Sequence, residues 1–316
     1  MPFIVLKIDV DTYRGTREGV PNLVRLLKQH HAGATFLFSL GKDHTGWALR
    51  RAFRPGFFQK VSRTSVVEHY GVKTLMYGVL LPAPDIGKDC VEEMRAVRRA
   101  GFECGIHTWD HVVWQDNVRQ RGQAWTEQQM QQAYNRFQKI FGTAPKTHGA
   151  AGWQMNPYAF AQLDTFGMKY ASDGRAMLNQ DGSLSNHTAG PYRLEVNGTT
   201  LPCIQMPTTL PTLDELLGRE IDGIVISESN IAENILKLTE EPRNHVFTLH
   251  AELEGQKLAP IFDKLLSGWQ DQGYQCISMA DYYANIQDQA LPVHPLTWAE
   301  LPGRSGELVA LVSQYA

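Results

Sequence analysis

The feature that most limits what this sequence can fold into is a β-rich run ending on a polar residue, followed by a helical run, repeated along the chain. Phe3-Ile4-Val5-Leu6-Lys7-Ile8 reads as a strand leading into Asp9-Val10-Asp11. Residues 18–30 then carry Val20, Leu23, Val24 and Leu27 at helical spacing. The unit recurs as a strand at 34–40, a helix at 89–101 and a strand at 102–106 that runs into His107. Thr126 with Gln129 reads as a capping box, Asn156-Pro157 as an N-cap with proline at the first helical position, and Ser278 as a cap. Further strands are expected near 168–172, 203–206 and 246–250, and a helix over 257–272. About six or seven such units, with no internal repeat and no linker, predict an α/β parallel sheet or barrel forming one domain over 1–316. In that architecture chemistry gathers at the carboxyl ends of strands.

Three strand ends carry such chemistry: Asp9-Val10-Asp11, His107-Thr108-Trp109-Asp110-His111 and Leu249-His250. Each alone is commonplace, because D-x-D pairs cap helices and spaced histidines decorate polar faces. Together they describe a divalent-metal site, since two imidazoles and a carboxylate hold an ion on one face and leave room for water and substrate. His107 and His111 are expected on one side of a helical turn. Asp9 and Asp11 flank Val10 and share one side of an extended segment, so one suits a ligand and the other a base.

Composition narrows the class. A net charge of −3, from 30 basic and 33 acidic residues, excludes nucleic-acid binding by bulk electrostatics. Cys90, Cys104, Cys203 and Cys276 form no framework spacing, as expected in a reducing compartment. The opening residues lack a basic n-region, and the longest strongly apolar stretch, 74–84, is far short of the ~20 residues of a spanning helix. The expectation is a cytoplasmic protein.

The order Asp-x-Asp, His-(Ser/Thr)-x-x-His and a late Leu-His resembles the polysaccharide deacetylase, or NodB-homology, superfamily over most of the chain. The resemblance implies a distorted (β/α) barrel of about seven parallel strands. It implies Asp9 as general base, Asp11, His107 and His111 as ligands of one divalent metal ion, and His250 as general acid. Asp173, in Tyr170-Ala171-Ser172-Asp173, would orient His250. Such ligands suit Zn²⁺, with Mn²⁺, Co²⁺, Ni²⁺ or Fe²⁺ compatible. The third motif of the superfamily carries an Arg beside Pro that pairs with the base. Here Lys146-Thr147-His148-Gly149-Ala150-Ala151-Gly152-Trp153 lacks it, and Arg14 or Arg175 stands as a substitute. Gly152 and Trp153 are expected to bind substrate, with a backbone N–H facing an oxyanion.

Arg14-Gly15-Thr16-Arg17-Glu18-Gly19-Val20-Pro21, Thr208-Thr209-Leu210-Pro211-Thr212-Leu213-Asp214-Glu215 and His250-Ala251-Glu252-Leu253-Glu254-Gly255 are similar to one branch of the superfamily. That branch deformylates a formamido-arabinose linked to undecaprenyl phosphate, for lipid A modification and resistance to cationic antimicrobial peptides. The alternative is an N-deacetylase acting on an acetylated amino sugar. A polyprenyl-phosphate substrate implies attachment to an anionic membrane surface, the cytoplasmic face of the inner membrane. Residues 42–73, which interrupt the β-then-α rhythm, have the composition for it. Seven basic residues (Lys42, Arg50, Arg51, Arg54, Lys60, Arg63, Lys73) face two acidic ones, interleaved with Trp47, Phe53, Phe57, Phe58 and Tyr70. Each basic residue near anionic headgroups is worth ~1 kcal/mol, and aromatics settle at the interface. Arg50, Arg51 and Arg54 are the residues expected to meet the lipid phosphate.

Overall fold

The computed structural model describes residues 1–48, 71–178, 190–221, 223–301, 304 and 306–312. Seven strands run parallel along the path of its main sheet, and an eighth parallel strand, Gln275–Ile277, pairs off that path with Phe3–Val5. The seven are β1 (Phe3–Val10), β2 (Thr35–Ser39), β3 (Glu103–Thr108), β4 (Thr147–His148), β5 (Tyr170–Ala171), β6 (Thr199–Gln205) and β7 (His245–His250). Their spatial order is β7-β1-β2-β3-β4-β5-β6. The first strand therefore lies between the second and the last, with Asp9 opposite His250 on one side and Leu37 on the other. Tyr192–Val196 and Val293–Pro295 extend the sheet beyond β6. No ladder joins β6 to β7 among the described residues. The loop after β6 spans the gap instead: Thr209 N donates to Val246 O at 3.0 Å, and the Thr208 and Thr248 hydroxyls meet at 2.7 Å.

The period-2 alternation of a strand sorts these residues into two environments. Ile4, Leu6, Ile8 and Val10 of β1 join Phe36, Phe38, Ile106, Phe247 and Leu249 in the large core between sheet and helices. The intervening residues face the other way, and there Val5 gives way to Lys7 and Asp9 toward the carboxyl end. Every residue from Ile4 to Val10 is buried, which is why β1 reads as nearly continuous apolar sequence. The exceptions to that reading are the residues of interest.

Helices follow the strands with the expected start signals in most places. Asn156 Oδ1 accepts from Ala159 N at 2.8 Å and opens Pro157–Thr165, and Ser278 and Asp281 cap Met279–Ile286 reciprocally. Thr126 does not cap: the helix begins earlier, Gln123–Phe141, and the Thr126 hydroxyl donates to Gly122 O from inside its first turn. A three-stranded sheet, Trp298–Glu300, Glu307–Val312 and Arg175–Leu178, packs Leu301, Leu308 and Ala310 against Trp153. No helix among the described residues is long and apolar enough to cross a membrane. Residues 49–70, with Arg50, Arg51 and Arg54, lie outside the described residues. Beyond them a short helix, Val72–Met76, leads to a turn that exposes Val79 and Leu80.

Candidate active site

Parallel packing carries Asp11, just past β1, toward the end of β3, which lies one strand away across β2. His107 is the penultimate residue of β3, and Asp110 then N-caps the helix His111–Asn117 through Val113 N, so His111 is that helix's first residue. The two histidines thus span a strand-to-helix turn and do not share one helical turn, as their spacing had suggested. Their rings still stack, with centroids 5.3 Å apart. His107 Nε2 lies 3.1 Å from Asp11 Oδ1, and His111 Nε2 lies 3.4 Å from Asp11 Oδ2. One ligand atom from each of the three lies within 4.8 Å of the others.

The donor set fits a divalent cation. His107 Nδ1 donates to Gly149 O at 2.6 Å, which fixes the tautomer and leaves the Nε2 lone pair turned toward Asp11. Asp11 Oδ1 is buried without a hydrogen-bond donor. Two acceptors facing each other in a buried space call for positive charge between them. Burial works to raise the Asp11 carboxyl, yet His111 and His107 outweigh it and hold it far below the usual range. His107 is raised by Asp9 and Asp11 against its own burial.

Asp9 stands beside this group, with Oδ1 3.7 Å from His107 Nδ1. Its other oxygen, Oδ2, accepts from Lys7 Nζ at 2.9 Å, and both side chains are buried. Neither expected substitute is the partner of Asp9: Arg14 pairs with Glu18 at 2.8 Å and Arg175 with Glu215 at 3.0 Å. The sequence signal for Lys7 was its i−2 spacing from Asp9 in a strand otherwise apolar. Behind Asp11, Glu252 accepts from Asp11 N, Thr12 N and Thr12 Oγ1 at 2.8–3.1 Å. Burial, and then the Asp11 charge, push its carboxyl well above the usual range.

His250 ends β7, in register with Asp9. Its backbone N–H goes to Glu254 Oε2 at 2.8 Å, and its Nδ1 lies 4.0 Å from Asp214 Oδ1. Arg304 in turn binds Asp214 at 3.1 Å. Asp173 does not meet His250. It accepts from His148 Nδ1 at 2.6 Å and from Ala150 N at 2.8 Å. His148 is paired with Ala171, two residues before Asp173, and this pairing sets its ring beside the carboxylate. Asp214 and Arg304 were missed because they lie on a short turn of helix and in an irregular segment, where no strand-end rule points.

Trp153, expected to bind substrate, is 1% exposed. Its indole N–H donates to Thr208 Oγ1, and Lys7, Arg175 and Arg304 lie 5.1, 5.0 and 4.8 Å from its ring. It is a support for three cations, two of which hold the carboxylates Asp9 and Asp214. Gly152 takes φ +59°, and a side chain there would collide with the Gln115 amide.

Residues 3–171 match the family model for polysaccharide deacetylase. A protein of Shewanella sediminis named "Probable 4-deoxy-4-formamido-L-arabinose-phosphoundecaprenol deformylase ArnD" is 32% identical over 96% of this chain and 92% of its own length. One of the same name from Wigglesworthia glossinidia brevipalpis is 28% identical, over 92% of this chain and 96% of its own. A solved protein of Mycobacterium smegmatis named "putative polysaccharide deacetylase" shares the fold with a TM-score of 0.61 at 15% identity, covering 95% of this chain and 96% of that one. The strand order, the residues at the strand ends and these matches agree, and the chain belongs to the polysaccharide deacetylase family, as a hydrolase of amide bonds.

Proposed function

We propose that this chain, acting as one domain, removes the formyl group from 4-formamido-arabinose linked to undecaprenyl phosphate, releasing formate and the free 4-amino sugar lipid. The observation that carries the hydrolytic part is the buried Asp11–His107–His111 group with Asp9 at its edge. The substrate part is supported by the name of the relatives matched along nearly the whole chain.

Asp11, His107 and His111 are the residues that would hold one divalent ion, Zn²⁺ or a similar metal. Such an ion supplies a Lewis acid that polarises an amide carbonyl and lowers the pKa of water. Asp9, with Oδ2 engaged by Lys7 and Oδ1 free of hydrogen bonds, is placed to take a proton from the attacking water. His250, facing Asp9 across the β1–β7 pair, gives a proton to the departing nitrogen, without which an amide nitrogen leaves poorly. Asp214 beside Nδ1 steadies the positive charge His250 carries before that transfer. We place the enzyme at the cytoplasmic face of the inner membrane, held by residues 42–73, in the pathway that modifies lipid A against cationic peptides.

Mass spectrometry of the lipid-linked formamido sugar, incubated with metal-loaded protein, tests the reading. Loss of the formyl mass with formate release supports it. Turnover of an N-acetylated glycan with none of the formamido lipid would replace it by an N-deacetylase.

A further inference from the structure

We propose that Lys7 is the positioning residue for the base Asp9, doing from β1 what the third-motif arginine does elsewhere in the family. The inference rests on the reading of Asp9 as base given above. The geometry is specific. Lys7 Nζ lies 2.9 Å from Asp9 Oδ2, and the Lys7 side chain is wholly buried. Lysine and aspartate two apart on one strand point to the same face, so the strand itself aligns the pair. A buried ammonium left alone would be costly, and the Trp153 ring 5.1 Å away supplies a further electrostatic partner.

The stretch after β4 leaves room for this cation. Gly149 follows β4 where the motif stretch carries no arginine, and a Cβ built there would run into Leu37 Cδ1 at 2.4 Å and Lys7 Cε at 2.6 Å. The glycine leaves the space through which the Lys7 stem passes, while its carbonyl takes the His107 N–H. One residue therefore clears room for the cation that fixes the base and also fixes the tautomer of a candidate ligand. With Oδ2 held by Lys7, the carboxylate has one rotational setting. Its Oδ1 then stays on the side of His107, where a water to be deprotonated would lie. A displacement of about 1 Å in such a group costs on the order of 10²-fold in rate.

The test is a double-mutant cycle of Lys7→Met, Asp9→Asn and the pair, read two ways. In thermal denaturation of chelator-treated protein, each single variant should lower Tm by several degrees, and the double variant should recover most of the loss. Strict additivity of the two shifts would show that the side chains do not interact, and would overturn the proposal. In turnover of the formamido lipid by metal-loaded protein, Lys7→Met should lower kcat about 10²-fold with KM and metal content nearly unchanged. The double variant should then be no slower than Asp9→Asn, within about threefold. A further hundredfold loss when Lys7→Met is added to Asp9→Asn would give Lys7 a role independent of Asp9, and would also overturn the proposal. If the wild type released no formate, the substrate reading would fail, while the denaturation cycle would still decide the pair.

Discussion

Replacing Glu254 with glutamine removes a carboxyl that the folded chain keeps protonated well above the usual pH. Glu254 is fully buried, and Oε2 accepts the His250 N–H at 2.8 Å, which leaves Oε1 without a donor. Burial pushes the group up to about 7 from its ordinary 4.5, with His250 working in the opposite direction. Between these two pH values the unfolded chain gives up its proton while the folded chain retains it. The contribution to stability is therefore whole below 4.5, declines as pH rises, and is gone above about 7. A shift of this size corresponds to on the order of 3 kcal/mol. Glutamine is neutral throughout and keeps an acceptor for the His250 N–H, so Glu254→Gln should match the wild type near pH 4.5. By pH 8 it should be more stable by up to about 3 kcal/mol. Urea denaturation of chelator-treated protein at pH 5 and pH 8, at fixed ionic strength, measures the difference. Glu252, which is raised in the same direction, is present in both proteins and cancels. A variant whose stability relative to wild type stayed constant across that range would refute the reasoning.

His107→Ala should lower bound metal, read by elemental analysis, in step with activity, whereas Asp9→Asn should keep the metal and lose about 10²–10⁴-fold in rate. Near-normal turnover by metal-loaded Asp9→Asn would remove Asp9 from the role of base. His250→Ala should depress kcat by about 10²-fold or more at unchanged metal content and Tm; loss of metal would make His250 a ligand. Charge reversal of Arg50, Arg51 and Arg54 to Glu should abolish salt-sensitive co-sedimentation with anionic liposomes. Unchanged binding would move the membrane contact elsewhere.

The five residues readable from sequence share one property: each lies at or beside the end of a parallel strand, where local pattern and chemistry coincide. Asp9, Asp11, His107, His111 and His250 needed no knowledge of neighbours to be picked out, although the strand-to-helix turn between the two histidines was not visible until Asp110 was seen to cap. Residues that serve those five were hidden for physical reasons. Lys7 looks like a polar interruption of a buried strand until its face is known. Asp173 had more than one imidazole it could meet, and the pairing of β4 with β5 chose His148. Asp214 and Arg304 meet from positions 90 apart, and nothing local in either segment announces the other. The fold class was legible because periodicity is local, while the contact from the loop after β6 to β7 depended on Thr208 and Thr209, which carry no strand signal at all.

The place of β1 between β2 and β7 also has a consequence for how the chain is made. β2 follows within a few dozen residues, but His245–His250 is 241 positions away from its partners on β1. At roughly 5–20 residues per second of synthesis, one edge of β1 waits on the order of 10–50 s for its ladder. Lys7 can find Asp9 early, since both lie on the same strand. His250, and the Arg304–Asp214 contact beside it, arrive only after the strands that carry the other candidate residues. A ribosome-bound chain stopped before residue 250 would therefore hold the candidate metal ligands and Asp9, and would still lack His250.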